Sequence, residues 1–203
     1  MKITVLLSMF LLFNATLFSQ SKFKPQIRIG LNSTDIDNFN AKNDYGYYIG
    51  VAYPVKVGKN KTMRVELTYD KQNTKLIENT QNLHFDGCFN ENNTDCFLKN
   101  IKMEFITASF VYDYFFNDDI YVLISPFISV ITSQNFNQYQ PGFINIMPLY
   151  DYGIVAGLGY KFMPQLRGEF RFKKGFEDVV LLPNNVVNRT NTFQLGLIYS
   201  FKK

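Results

Sequence analysis

The sequence predicts an all-β protein, an eight-stranded antiparallel up-and-down transmembrane β-barrel, and three observations carry that prediction. Apolar and polar residues alternate with a period of two through eight segments. The connections between these segments alternate between short and long. The apolar face is aromatic at both of its ends. Successive side chains of a strand point to opposite faces, so each segment divides into two faces by inspection.

Residues 1–19 carry one charge at Lys2, an apolar run from Ile3 to Phe13 and the small residue Ser19, the pattern of a signal peptide; residues 20–203 are then the barrel domain. Beyond Gln20 no apolar stretch approaches the roughly twenty residues a membrane helix needs, so insertion is expected through strands.

The first segment, 26–32, sets Ile27, Ile29 and Leu31 against Gln26, Arg28 and Gly30. The second, 45–55, sets Tyr47, Ile49, Val51 and Tyr53 against Tyr48, Gly50 and Ala52. In the third, 62–71, Met63, Val65, Leu67 and Tyr69 alternate with Arg64, Glu66, Thr68 and Asp70. The fourth, 101–114, alternates from Ile106 to Tyr114, while Lys102-Met103-Glu104-Phe105 is out of phase, as at a β-bulge. The fifth, 120–131, is largely apolar on both faces and contains Pro126, which lacks a ladder donor.

The sixth, 150–162, sets Tyr152, Ile154, Ala156, Leu158 and Tyr160 against Asp151, Gly153, Gly157 and Gly159, glycines read as leaving room for long neighbouring side chains. In the seventh, 165–174, Leu166, Phe170 and Phe172 alternate with Arg167, Glu169, Arg171 and Lys173. The eighth, 192–201, sets Phe193, Leu195, Leu197, Tyr199 and Phe201 against Gln194, Gly196 and Ser200. Short connections at 56–60, 115–119 and 163–164 alternate with long polar ones at 33–44, 72–100, 132–149 and 175–191, the arrangement of an outer-membrane barrel with long loops outside the cell and short turns in the periplasm.

A soluble barrel also alternates, but its apolar face turns inward. Here Tyr53, Tyr112, Tyr114, Tyr121, Tyr160, Tyr199 and Phe201 fall near the short turns, and Tyr45, Tyr47, Tyr69, Tyr150 and Tyr152 near the long loops. Two aromatic levels around an aliphatic band match interfacial girdles, so this face is expected to meet lipid. The other face then lines a narrow lumen, where Arg28, Arg64, Glu66, Asp70, Asp113, Lys161, Arg167, Glu169, Arg171 and Lys173 must be paired or hydrated, since isolated buried charge is too costly.

Apolar residues make up 46% of the chain, aromatics 17% and charged residues 19%, with no Trp and one His. One domain with a large apolar surface follows, with little material for metal or general-base chemistry and no cofactor expected. The net charge of +4 comes from scattered lysines and arginines, which gives no footprint for nucleic acid. Cys88 and Cys96 lie in a polar segment; in an exported chain they suggest a disulfide closing a loop, worth about 2–3 kcal/mol in the chain-entropy model, the alternative being two free thiols. His84, near Asp86 and Asp95, is the only candidate base, and no spacing fixes a catalytic geometry around it, so no enzymatic activity is expected. Residues 35–40 and 90–95 offer oxygen ligands without calcium-loop spacing and read as solvated loops. In the third long loop, Phe136, Tyr139, Phe143, Ile144, Ile146 and Met147 stand among amides; they either contact a protein partner or pack against the barrel mouth.

The signal exit Leu17-Phe18-Ser19-Gln20 and the closing strand from Thr192 to Phe201, with Tyr199 and Phe201 near its end, resemble the small outer-membrane β-barrel proteins of Bacteroidetes-type bacteria. The architecture is similar to OmpA-like and OmpX-like eight-stranded barrels. The resemblance implies an integral outer-membrane protein whose partners are membrane lipid and the barrel-assembly machinery, which reads such a terminal strand. PorT-like relatives imply a second role, as a subunit of an outer-membrane transport or protein-secretion complex.

Overall fold

The computed structural model describes residues 25–37, 41–76, 100–134, 149–178 and 189–201. Eight strands follow in chain order: β1 (Gln26–Ile36), β2 (Ala41–Gly58), β3 (Lys61–Leu76), β4 (Asn100–Phe115), β5 (Ile120–Gln134), β6 (Tyr150–Met163), β7 (Leu166–Gly175) and β8 (Thr190–Ser200). Each pairs antiparallel with its sequence neighbours, and β1 closes onto β8 from Gln26 opposite Ser200 to Ile36 opposite Thr190. The result is a closed eight-stranded barrel, as the alternation predicts. Closure gives every strand two partners and leaves no sheet edge.

Three turns are tight. Lys59 and Asn60 join β2 to β3, and Pro164 and Gln165 join β6 to β7. In the third, between β4 and β5, Asn117 Oδ1 accepts hydrogen bonds from the backbone N–H groups of Asp119 (2.9 Å) and Ile120 (2.7 Å), an Asx turn that brings the chain straight back. Neighbouring turns are tied together, since Lys161 donates its N–H to Asp119 O at 2.8 Å and Ser200 its N–H to Gln165 O at 2.8 Å.

The apolar face is on the outside all the way round. Ile29, Ile49, Leu67, Ile106, Ile128, Leu158, Phe170 and Leu195, one from each strand in order, are all half exposed or nearly so. At the turn end Tyr114–Phe116, Tyr160–Phe162 and Tyr199–Phe201 form edge-to-face pairs with centroids 5.6, 5.2 and 5.3 Å apart. Tyr45, Tyr47, Tyr150 and Tyr152 stand exposed at the other end.

Four expectations change. The strands reach further into the polar sequence than the alternation indicates: β1 continues to Ile36 and β2 starts at Ala41, so the connection expected at 33–44 shrinks to 37–40, and Asp35 belongs to a strand. Polar residues on both faces hide the period there, but Thr34 and Thr74 still turn inward and are fully buried. Tyr121 does not join the outer girdle; it shares the parity of Leu123 and is fully buried in the bore. β4 has no bulge opposite β3, because Met103 and Phe105 continue the inward parity. The irregularity lies between β4 and β5, where Glu104 pairs with Ser133 and Phe105 with Ile131, leaving Thr132 as the extra residue. Pro126 pairs with Ile154 on β6, and its missing donor falls in a gap in the β4–β5 pairing, between Ser109 opposite Phe127 and Tyr112 opposite Ile124, across which the register is unchanged.

The expected signal segment at 1–19, His84, Cys88 and Cys96, and the loop residues Phe136, Tyr139, Phe143, Ile144, Ile146 and Met147 lie outside the described residues.

Two large inward rings need missing side chains opposite them. A Cβ on Gly159 would lie 2.1 Å from the Tyr121 ring, and one on Gly196 would lie 1.9 Å from the Tyr48 hydroxyl. Gly159→Ala is therefore expected to destabilise the barrel by about 1–3 kcal/mol by overpacking. Urea unfolding in phospholipid vesicles checks this. Since every close contact at Gly159 is with Tyr121, the loss should be non-additive with Tyr121→Ala; additivity would refute the account.

Candidate functional site

Among the described residues, the bore places ten charged side chains where water barely reaches them: Arg28, Arg64, Arg167, Arg171 and Lys173 against Glu66, Asp70, Asp113, Asp151 and Glu169. Five cations meet five carboxylates, so the set is neutral as a whole. Strand parity delivers them, because β7 places a charge at four successive inward positions and β3 at three of four, with Thr68 between Glu66 and Asp70.

Arg64 is the hub. Its Nη2 donates to Asp113 Oδ1 at 2.8 Å and to Glu169 Oε1 at 2.7 Å, while Nη1 lies 3.1 Å from Glu66 Oε1. Arg171 spans the two glutamates, donating from Nη1 and Nη2 to Glu66 at 2.8 and 3.0 Å and from Nε to Glu169 at 2.7 Å. Arg28 adds a 2.7 Å hydrogen bond to Glu66 and sits 5.0 Å from the centroid of the Tyr48 ring. Arg167 donates to Gln26 at 2.7 Å, lies 3.8 Å from Asp113 and rests over the Tyr121 ring. Tyr121 completes the cluster by donating its hydroxyl to Glu169 Oε1 at 2.7 Å. The guanidinium forks suit this work, since Arg64 engages three carboxylates and Arg171 two with several donors each.

A second tier lies toward the long-loop end. Asp70 accepts from Thr107 Oγ1 at 2.9 Å and lies 3.6 Å from Lys173 Nζ. Lys173 donates to Thr107 and Ser129 and sits 4.4 Å from the centroid of the Phe127 ring. Above it, Asp151 accepts from Thr190 Oγ1 and the Glu177 N–H, both at 3.3 Å. β4, β5 and β6 fill their side of the bore with Val111, Tyr121, Leu123, Phe127 and Val155, an apolar counterpart to the charged half.

Nine of the ten residues expected in the lumen set are thus buried there. Lys161 is not: it sits at the turn end beside Asp119 (3.7 Å) and donates to Asp118 O, because its inward position falls at the rim. The tenth place is taken by Asp151, which its parity with Gly153 on the inward face of β6 would have signalled. Among the described residues no grouping of His, Cys, Asp and Glu is arranged to hold a metal ion. An outer-wall groove of about 970 Å³ runs past Phe162, Gly168, Phe170 and Leu197, where an outward glycine thins the apolar belt; it is part of that belt.

At the long-loop rim Asp37 accepts hydrogen bonds from Lys174 Nζ and Asn191 Nδ2. Partial burial works against its charge, but these contacts and the nearby Arg189 outweigh it and hold the carboxyl below its ordinary value of 3.8.

No family model matches the chain, and no curated protein matches it. Solved structures similar to it include Neisserial surface protein A, at 12% identity over 89% of this chain and 98% of that one, with a TM-score of 0.48. The outer membrane protein Ail of Yersinia pestis in a phospholipid bilayer nanodisc is 13% identical over 89% and 100%, with a TM-score of 0.49. The outer membrane protein OprG of Pseudomonas aeruginosa is 13% identical over 89% and 97%, with a TM-score of 0.48.

Arg64→Met takes one partner from each of three buried carboxylates and is expected to cost about 3–5 kcal/mol in vesicle unfolding, while Arg64→Lys, which keeps the charge and loses the fork, costs less. Equal losses would count against charge compensation. Asp37 binds fewer protons folded than unfolded, so its contribution is present above pH 3.8 and is lost as pH falls through its lower folded value. A carboxyl-carbon NMR titration should find its midpoint below 3.8 and find it returning toward that value in Lys174→Met.

Proposed function

We propose that the chain is an integral outer-membrane β-barrel with a structural or interaction role, exerted through the connections at its long-loop end, and that it is not an enzyme. The observation that carries this reading is the closed wall that is apolar outward on every strand while its bore holds a self-neutralising charge set. Lipid suits such a surface, because the apolar belt is larger than water tolerates and a closed barrel satisfies its backbone groups without solvent. Tyrosines at both margins fit the two interfaces of a bilayer. Export requires a targeting segment, for which residues 1–19 are the candidate. The loop lengths favour long connections outside the cell and short turns in the periplasm.

The bore favours a closed post over a conduit, since Arg64, Glu66, Glu169 and Arg171 bond to one another across its middle. Interaction then falls to the rim. The loop bearing Phe136, Tyr139, Phe143, Ile144, Ile146 and Met147, and the one bearing Cys88 and Cys96, are the proposed contact surface, with the cysteines joined as a disulfide. The same aromatic and amide surface is what favours the second reading, a subunit of a transport or secretion complex in keeping with the PorT resemblance.

Outer-membrane fractions should contain a band whose gel mobility changes on boiling, as a folded barrel gives. Recovery in the soluble fraction with no such shift would sink the membrane reading. In planar bilayers the purified protein is expected to give no large, stable single-channel openings, and such openings would refute the closed post. Co-purification of a stoichiometric protein that is lost on deleting residues 137–145 would favour the complex subunit.

A further inference from the structure

We propose that the bore binds one ordered water molecule toward its long-loop end, held between the side-chain amides of Asn32 and Gln72 where Gly46 leaves room. The strands dictate the place. Between the pairs Tyr47–Lys71 and Asn43–Thr74, β2 runs through three residues, Asp44, Tyr45 and Gly46, against two on β3, Gln72 and Asn73, so β2 bulges there. β1 passes the same stretch without a break, with Asn32 opposite Gly46 and Thr34 opposite Asp44. Gly46 is buried and has no side chain, so β1 and β3 face each other across it. Two residues further along each strand they meet directly, where Thr74 Oγ1 donates to Thr34 O at 3.2 Å.

At the level of Gly46 the two strands present amides instead. Asn32 and Gln72 are 2% and 1% exposed. Asn32 Nδ2 donates to Tyr47 O at 3.4 Å, and turning the amide over would set its oxygen against that carbonyl, so Oδ1 must point the other way. It lies over Gly46, 2.3 Å from where a Cβ would stand. Asn32 Oδ1 and Gln72 Oε1 are both buried without a donor from any side chain or backbone group. Amide oxygens taken out of water in this way are costly unless something donates to them.

Three properties of the surroundings select the ligand. Both orphaned atoms are acceptors, so it must bring two protons to donate. The described charges of the bore balance, five against five, and Asp70, one inward position from Gln72, already has Lys173 at 3.6 Å, so the ligand must be neutral. It must also be small, because the Thr34–Thr74 contact closes the space on one side and the paired residues Tyr48 and Asp70, both buried, fill it on the other. Water meets all three conditions. Its own lone pairs remain for a donor such as Gln194 Nε2, which lies opposite Asn32 on β8 and holds Asp70 only at 3.4 Å, and a buried water commonly makes about three such bonds. A cation would find the same two amide oxygens and Asp70, but would leave the bore with one charge in excess. At this level β1 and β3 are thus joined through a solvent molecule, whereas the charge cluster below them closes by direct contact.

Water–protein NOE and ROE spectroscopy of the full-length protein, with its Asn and Gln side chains labelled with nitrogen-15, tests this. Cross-peaks of a long-lived water are expected at the side-chain N–H protons of both Asn32 and Gln72. Gln72→Leu should remove the one at Asn32, while Ser33→Ala, on the outward face of β1, should leave it unchanged. Absence of both cross-peaks from the wild-type protein overturns the site, as does a cross-peak at Asn32 that survives in a folded Gln72→Leu variant. A through-hydrogen-bond coupling between the two amides also overturns it, since they would then pair without water. Sodium and calcium chloride are titrated separately against the unfolding midpoint. A rise with either ion that Gln72→Leu abolishes replaces the water by a cation and overturns the proposal, and no such rise supports it. Where Gln72→Leu does not fold, Gln72→Met, closer in length, makes the same comparison, and the wild-type spectrum decides if neither folds.

Discussion

Arg64 touches three carboxylates at once, and much of the barrel is arranged so that it can. A closed wall leaves its inward charges with little solvent but one another, and a buried cation held by one partner alone would not repay its desolvation. The solution is shared ligation: Glu66 serves Arg28, Arg64 and Arg171, and Glu169 serves Arg64, Arg171 and Tyr121. Such sharing demands that side chains from β1, β3, β4, β5 and β7 reach one level, which the register of the closed sheet provides.

Space is the second constraint. Five long cationic side chains and the rings of Tyr48 and Tyr121 must fit within eight strands, so Gly30, Gly159 and Gly196 face the rings. Tyr121 joins the two halves of the bore. Its ring lies 4.7 Å from that of Phe115 on the apolar side, and its hydroxyl reaches Glu169 on the charged side.

The barrel and most of its lining were legible because charge and apolarity alternate residue by residue in β3 and β7, and a period of two has one structural meaning. Legibility failed where that contrast fades. β5 is largely apolar on both faces, so Tyr121, amphipathic and suited to either environment, reads as girdle from its place near a turn, although its parity with Leu123 points inward. Past the belt both faces are polar, and the strand extensions through Ser33–Ile36 and Gln72–Leu76 read as loop. Lys161 has inward parity but lies one step from the turn, so depth along the barrel, which alternation does not encode, separates it from the network. The pairing of particular charges also stayed hidden, because it depends on register between strands far apart in sequence.

That separation has a consequence for how the chain comes together. The charged bore residues described on β1 to β4 are two arginines and three carboxylates; those on β5 to β8 are three cations and two carboxylates. Each half is unbalanced by one charge, and the imbalances are opposite. The Arg64–Glu169 and Arg171–Glu66 contacts each join residues 105 positions apart and bridge the two halves. Neither four-strand half is neutral inside until the other arrives, so the seam between β1 and β8 closes around a balance that neither half holds alone.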